Sequence, residues 1–322
     1  MKELLQTLPD RGYPAEYLLS RIRGRRSRLI PEWKSLVFET AVQDYLSSAR
    51  YQGFVKDRSA DTIWKNLVRE YRWVYGQMNG KLRDAFRPFF LYTELRTLFI
   101  CLRNLKEKNP DRTADLLSVS LLSDGIKNIL STSPDAASAI QTIEARFPFF
   151  SGGKTGLTET FEADGLRAVE QRMTGSVLAA IIRARLHPIM RSFFARLIDA
   201  RNILTLYKSL RLAQRSAPPL LPGGSLPEGR LRETVAREEI FGICTLVRDF
   251  SGVKIETPEP TRVEIALYKG ITAYLKKEGR EPFGAGPILD YLWKCSLEVM
   301  NLNVLIAGKD LERDLVASEL VQ

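Results

Sequence analysis

Residues 193–210 read FFARLIDARNILTLYKSL, and they contain the pattern that decides the fold. Apolar residues recur there at intervals of three and four, which predicts a helix that is apolar over most of its surface. Pro188, which precedes this stretch, is suited to the first turn of such a helix. A helix with so little polar surface packs between other helices, so the sequence predicts a helical core.

The same skeleton occurs in two other places, at residues 89–105 (FFLYTELRTLFICLRNL) and 289–309 (LDYLWKCSLEVMNLNVLIAGK). Each copy has an acid, a small polar residue three positions later, and then an aliphatic residue. The acid and polar positions are Glu94 and Thr97, Asp199 and Asn202, and Glu298 and Asn301. The acids are 105 and 99 residues apart. This spacing indicates three units of about 100 residues, each built around one such helix.

The predicted units are residues 1–112, 113–220 and 221–322. A Pro/Gly-rich loop at 216–229 closes the second unit. Further helices are predicted, including one at 41–55, whereas only residues 252–257 (GVKIET) show the alternation of a strand. The sequence therefore predicts an all-α protein.

The amino-acid composition indicates the size of the core, the kind of partner and the compartment that this protein favours. The chain has 322 residues, 44% of them hydrophobic, which is enough for a substantial core. Its net charge of +10 indicates an acidic protein partner, nucleic acid or an anionic membrane surface. The scattered cysteines Cys101, Cys244 and Cys295 predict neither disulfides nor a zinc site, and fit a reducing compartment. We expect no signal peptide and no membrane-spanning helix.

Five arginines stand within eight residues near the N-terminus, with no acid among them. They are Arg21, Arg23, Arg25, Arg26 and Arg28. The cluster predicts either a patch that faces an anionic partner or a solvated helix face whose arginines pair with nearby acids.

The search for catalytic chemistry yields no complete site. Residues Gly152–Thr155 resemble a phosphate-binding loop, but Pro148 stands where its first glycine belongs, so an ordinary loop is favoured. His187, the sole histidine, borders a helix start and lacks partners for a catalytic triad or a zinc site. We therefore expect no enzymatic activity, no cofactor and no bound metal.

The repeated acids Glu94, Asp199 and Glu298 have two interpretations. They are either ion ligands or buried structural groups that are satisfied by hydrogen bonds, and the polar neighbours in each copy favour the structural role. Residues close in sequence are the candidate partners: Arg96, Arg201, Asn202 and Asn301.

Three segments together resemble the C subunit of A/V-type rotary ATPases, the C/AC39 family, called d in the vacuolar enzyme. The segments are Tyr17–Arg26 (YLLSRIRGRR), Phe194–Leu206 (FARLIDARNILTL) and Glu298–Lys309 (EVMNLNVLIAGK). The resemblance implies a funnel of three similar helical units around a pseudo-threefold axis, with a central hollow. It also implies a peripheral, non-catalytic subunit on the cytoplasmic side of the membrane. Such a subunit joins the proteolipid ring to the central-stalk subunits D and F and transmits torque.

Two other hypotheses stay open. One is a basic helical protein that binds nucleic acid, supported by the net charge and the arginine cluster. The other is an enzyme that uses the loop at Gly152–Gly156.

Overall fold

The computed structural model describes residues 2–38, 60–150, 156–213, 217–308 and 310–321. The chain forms two compact units. The first contains Met1–Pro14 and Val68–Met190, and the second contains Ala15–Leu67 and Arg191–Gln322. The division into three units of similar sequence has different boundaries and stays a prediction.

Helices make up the regular structure of the described residues, apart from one isolated antiparallel bridge between Leu5 and Leu122. The helices are α1 (Ala15–Arg26), α2 (Trp33–Phe38), α3 (Ala60–Gln77), α4 (Gly80–Lys106), α5 (Pro110–Val119), α6 (Asp124–Thr132), α7 (Ala136–Arg146), α8 (Leu157–Asp164), α9 (Leu166–Arg183), α10 (Pro188–Arg211), α11 (Glu228–Glu238), α12 (Gly242–Ser251), α13 (Pro260–Glu278), α14 (Gly286–Ala307) and α15 (Arg313–Ser318). The predicted all-α class is confirmed.

The strand signal at 252–257 is wrong, because helix α12 ends there in a turn. Gly252 adopts φ 73°, a left-handed conformation that glycine tolerates, and its N–H donates to the Arg248 carbonyl. The predicted helix at 41–55 and the loop Gly152–Thr155 lie outside the described residues.

Helix α4 is the centre of the first unit, and α5, α7 and α9 pack against it. Its N-cap residue, Asn79, accepts a hydrogen bond from the Leu82 N–H at 3.0 Å. Buried aromatic side chains on α4 make edge-to-face contacts with the end of α3, as between Phe90 and Tyr75, whose ring centroids are 5.0 Å apart. This packing fixes α4, and with it the carboxylate of Glu94.

An arginine secures the N-terminal segment to this unit. Arg83 is buried at the start of α4, and its guanidinium donates to the carbonyl oxygens of Leu8, Pro9 and Tyr75. The Gly76 carbonyl is a fourth acceptor, at 3.4 Å, and these acceptors satisfy a charge that would otherwise be costly to bury.

In the second unit α13 packs against both α12 and α14. Phe193 of α10 packs edge-to-face on Trp293 of α14, with ring centroids 5.9 Å apart. The Trp293 indole N–H donates to Thr272 Oγ1 on α13 at 2.9 Å. Helix α1 contacts α14, and α2 contacts α15, so the N-terminal helices belong to the same core as the C-terminal ones.

Candidate functional site: three buried acid clamps

All six residues of the repeat are buried, and none exposes more than 3% of its surface. Each acid accepts a hydrogen bond from the backbone N–H of a loop residue far away in sequence. We call each such arrangement an acid clamp. A buried carboxylate of this kind ties a loop to a helix because both the acid and the N–H need a partner away from water.

The first acid clamp joins Glu94 to the loop before α6. Glu94 accepts from the Leu121 N–H at 2.7 Å and from the Ser120 hydroxyl at 2.8 Å. The Ser120 carbonyl in turn accepts from Lys127 Nζ at 2.8 Å and from Arg72 Nη1 at 2.7 Å. The loop is therefore held both through the N–H and hydroxyl groups that it donates and through the Ser120 carbonyl that accepts.

The second acid clamp repeats the first with a shorter side chain. Asp199 accepts from the N–H groups of Ser225 and Leu226, each at 3.0 Å, and from the Ser225 hydroxyl. The preceding Gly224 leaves no room for a side chain, because an added Cβ would lie 3.1 Å from Asp199 Cγ. The described part of the Pro/Gly-rich loop, residues 217–227, is thus anchored near its end to helix α10, and residues 228 and 229 of the predicted loop belong to α11.

The third acid clamp joins Glu298, in a C-terminal helix, to the N-terminal segment. Glu298 on α14 accepts from the Ile30 N–H at 3.2 Å, a contact across 268 residues of sequence. Leu29 precedes Ile30 just as Ser120 precedes Leu121 and Ser225 precedes Leu226. The third copy therefore has an aliphatic side chain where the first two have a serine hydroxyl.

The loop residues repeat with the same spacing as the acids. Leu121 and Leu226 are 105 residues apart, and so are Glu94 and Asp199. In the third copy the N–H donor comes from Ile30 of the N-terminal segment. Reasoning from the sequence missed this half of the repeat, although the paired Ser-Leu dipeptides were a usable signal.

The polar residues of the second and third copies form a second type of link. The Asn202 side chain donates to the Leu221 carbonyl at 2.9 Å and accepts from the Leu221 N–H at 2.8 Å. Asn301 makes the same pair of bonds with Val321, at 2.9 and 3.0 Å. These amides bind backbone rather than the neighbouring acid. Thr97 differs, since its side chain hydrogen-bonds to Glu94.

Burial raises the pKa of the Glu94 carboxyl above its ordinary value of 4.5, although its hydrogen bonds to Leu121, Ser120 and Thr97 oppose that rise. Burial likewise raises the pKa of Asp199 above 3.8. In both cases removal from water disfavours the charged form by more than the donors stabilise it.

Replacement of Glu94 by glutamine is therefore expected to change the pH dependence of stability. The folded protein holds the Glu94 proton more tightly than the unfolded chain, so the Glu94 contribution is fully present below pH 4.5 and is lost as pH rises through the folded-state pKa. Urea unfolding of both proteins from pH 4.5 upwards should show the wild type losing stability relative to Glu94→Gln. A difference that is independent of pH would contradict this.

The structure places the arginine cluster on and just after α1, and its members have intramolecular partners. Arg23 donates to the Pro282 carbonyl at 2.8 Å, and Arg26 pairs with the buried Asp290. Arg21 donates to the Tyr17 hydroxyl at 2.7 Å. Arg25 and Arg28 also interact within the chain. Arg21, Arg23 and Arg28 are nevertheless largely exposed, so they remain able to face a partner.

His187, which the sequence places at a helix start, is not predicted to form a site. His187 lies exposed immediately before α10. Within the described ranges, no group of three or more His, Cys, Asp or Glu side chains is arranged to hold a metal ion. No helix in those ranges is long and apolar enough to cross a membrane.

Comparison with known proteins gives the family. Residues 18–316 match the ATP synthase (C/AC39) subunit family, so the match includes most of α1, the helices of all three acid clamps and most of α15. The chain belongs to this family. It is also similar to the C subunit of the A-type ATP synthase of Methanocaldococcus jannaschii, with 27% identity over 135 residues. That alignment covers 38% of this chain and 34% of the relative, so it spans about a third of the length of that curated protein. As a C/AC39 family member, the chain is a rotary ATPase subunit.

Proposed function

We propose that this protein is the non-catalytic coupling subunit of an A/V-type rotary ATPase, peripheral to the membrane on its cytoplasmic side. In this role it forms a socket between the proteolipid ring and central-stalk subunits D and F. It transmits torque between ATP turnover and ion translocation. The family match over residues 18–316 is the observation that carries the proposal.

The acid clamps support a structural role for the buried acids. A coupling part has to resist shear, and closely packed helices with buried, satisfied hydrogen bonds resist it well. Each clamp fixes a loop to a long helix through a carboxylate that is buried in the helix core. The acids thus have backbone partners, which favours a mechanical role for them over ion binding.

The clamps also support three units around a pseudo-threefold axis. Glu94 holds the loop that begins the next repeat, Asp199 does the same, and Glu298 holds Ile30 near the start of the chain. Three successive links of one kind, the last of which returns to the first repeat, are what a closed arrangement of three units requires. A central hollow in that arrangement would receive the stalk.

Purification of a tagged copy from detergent-solubilised membranes tests the proposal. We expect proteolipid, central-stalk and catalytic-head subunits to accompany it. We also expect Arg28→Glu to reduce their recovery about fivefold, because an exposed charge at an interface is reversed. Arg262→Glu, which reverses an exposed arginine on α13, is the matched control and should leave recovery unchanged. Recovery of nucleic acid that falls steeply with salt, without ATPase subunits, would instead support a nucleic-acid-binding protein.

A further inference from the structure

A cavity of about 770 Å³ lies in the second unit beside the third acid clamp. Its walls come from the turn between α1 and α2, the end of α12 and one face each of α13 and α14. On α13 the lining positions are 269, 272, 273 and 276, a spacing that places them on one face of a helix. The volume is within the range of small-molecule sites in proteins.

Positive charge dominates the ionisable groups of this cavity. The lining contains four cationic side chains, Arg26, Lys269, Lys276 and Lys294, and two acidic ones, Glu32 and Glu298. Glu298 is committed to the Ile30 N–H. An anion entering the cavity therefore meets more cations than acids, among them the exposed Lys276 and the partly exposed Lys269.

Asp290 does not neutralise these cations. Arg26 and Lys294 both bind its Oδ2 atom, Lys294 at 3.0 Å, so two positive charges share one carboxylate. Asp290 is fully buried, and its Oδ1 atom has no hydrogen-bond partner. Among the described residues, Lys269 and Lys276 show no ion pair with any acid. Arg26, Lys294 and Asp290 together therefore carry one net positive charge. This charge and those of Lys269 and Lys276 are available to attract an anion.

The uncharged part of the lining is mostly aliphatic, and it also contains the hydroxyl side chains of Ser27, Ser251 and Thr272. It includes Leu29, Ile30, Val253, Leu297 and Val321. Trp33 also lines the cavity but is only 8% exposed, so little of its ring is open for stacking on a planar base. The walls favour an alkyl chain over a nucleotide base.

We infer that this cavity binds a single-chain amphipathic anion, with a phosphate or carboxylate head at the lysines and an alkyl chain along the aliphatic wall. The ligand would contact the loop that holds Ile30, both walls of α13 and α14, and Val321, which Asn301 binds. Its binding would therefore strengthen the third acid clamp, where Leu29 replaces the serine of the other two.

Calorimetric titration of the full chain with decyl phosphate tests this inference. We expect binding of decyl phosphate, and much weaker binding of inorganic phosphate, decanol and adenosine monophosphate. The double variant Lys269→Gln/Lys276→Gln should weaken decyl phosphate binding about tenfold, because two charge-assisted contacts to the head group are lost. Lys254→Gln/Lys277→Gln removes the same charge from exposed positions that do not line the cavity, and should bind like the wild type.

A second variant separates the cavity from the general surface charge. Ala273→Phe adds a large side chain to the lining face of α13 without changing charge, and it should also weaken binding of decyl phosphate. Thermal melting checks that each variant is folded. Equal loss of affinity in both lysine double variants, or tight binding of inorganic phosphate or adenosine monophosphate, would overturn the inference.

Discussion

Replacement of Asp199 by alanine is expected to lower the free energy of unfolding by about 3 kcal/mol, because a buried acceptor is lost while its donors remain. Asp199 accepts from two backbone N–H groups and one hydroxyl, and its side chain is fully buried. Burial also raises the pKa of this carboxyl, so its charged form already carries a desolvation cost. Because of that cost, the expected loss in the free energy of unfolding is smaller than the summed free energies of three charge-assisted hydrogen bonds. Urea unfolding at neutral pH measures the difference.

The matched control for this substitution is Asp164→Ala. Asp164 is exposed at the end of α8, where a negative charge opposes the helix dipole, so its removal should be neutral or slightly stabilising. Asp199→Asn should fall between the two, since an amide oxygen still accepts but the amide N–H₂ faces donors. If Asp199→Ala cost no more than Asp164→Ala, the second clamp would contribute nothing to stability.

The helical class of the fold could be predicted from local patterns alone. Apolar residues within 188–211 recur at intervals of three and four, and this stretch forms one continuous helix that begins at Pro188 as expected. Such a pattern indicates which side of a helix is apolar. This property depends only on residues that are close in sequence. The same reasoning located the buried acids, because each one interrupts an apolar stretch.

The partners of those acids could not be found by looking at sequence neighbours. Asn202 was a candidate partner for Asp199, but its amide binds the backbone of Leu221, and Asp199 binds Ser225 and Leu226. The donors are mainly backbone N–H groups, which every residue except proline carries and which therefore leave no mark on the sequence. Of the donors in the clamps, only the hydroxyl groups of Ser120 and Ser225 could be recognised in the sequence.

The third clamp was still harder to predict. Glu298 and Ile30 are 268 residues apart, and Leu29 removes the serine that marks the other two loops. The contact between Ile30 and Glu298 lies beside the packing of α1 on α14, so both link the N-terminal segment to the same C-terminal helix.

Burial of the clamps has a consequence for the proposed mechanical role. A hydrogen bond that is excluded from water leaves an unsatisfied donor and acceptor when it breaks, so sliding a loop along its helix is costly. An exposed ion pair would exchange with water at little cost. Buried acids at 94, 199 and 298 thus suit a protein that transmits force between partners.

Substitution of Gly224 by alanine is expected to destabilise the protein by about 2 kcal/mol, because the new methyl group overlaps a carboxylate that cannot move away. The added Cβ would overlap Asp199 Oδ1 and lie 3.4 Å from Ile198 Cγ2. Asp199 is held in place by its bonds to Ser225 and Leu226. Gly224 is thus required for close approach of the loop to helix α10. Urea unfolding measures the loss.

Two comparisons show whether the overlap is the cause. Gly229→Ala lies five residues away in helix α11, where an added Cβ meets nothing within 4 Å, and it should stabilise the protein by up to about 1 kcal/mol because alanine favours helix. In the Asp199→Ala background the overlapping oxygen is absent, so Gly224→Ala should lose most of its penalty. An unchanged penalty there would mean that the loop backbone, and not the clamp, requires glycine. The sign of that coupling therefore distinguishes a loop held by Asp199 from a loop that merely lies beside it.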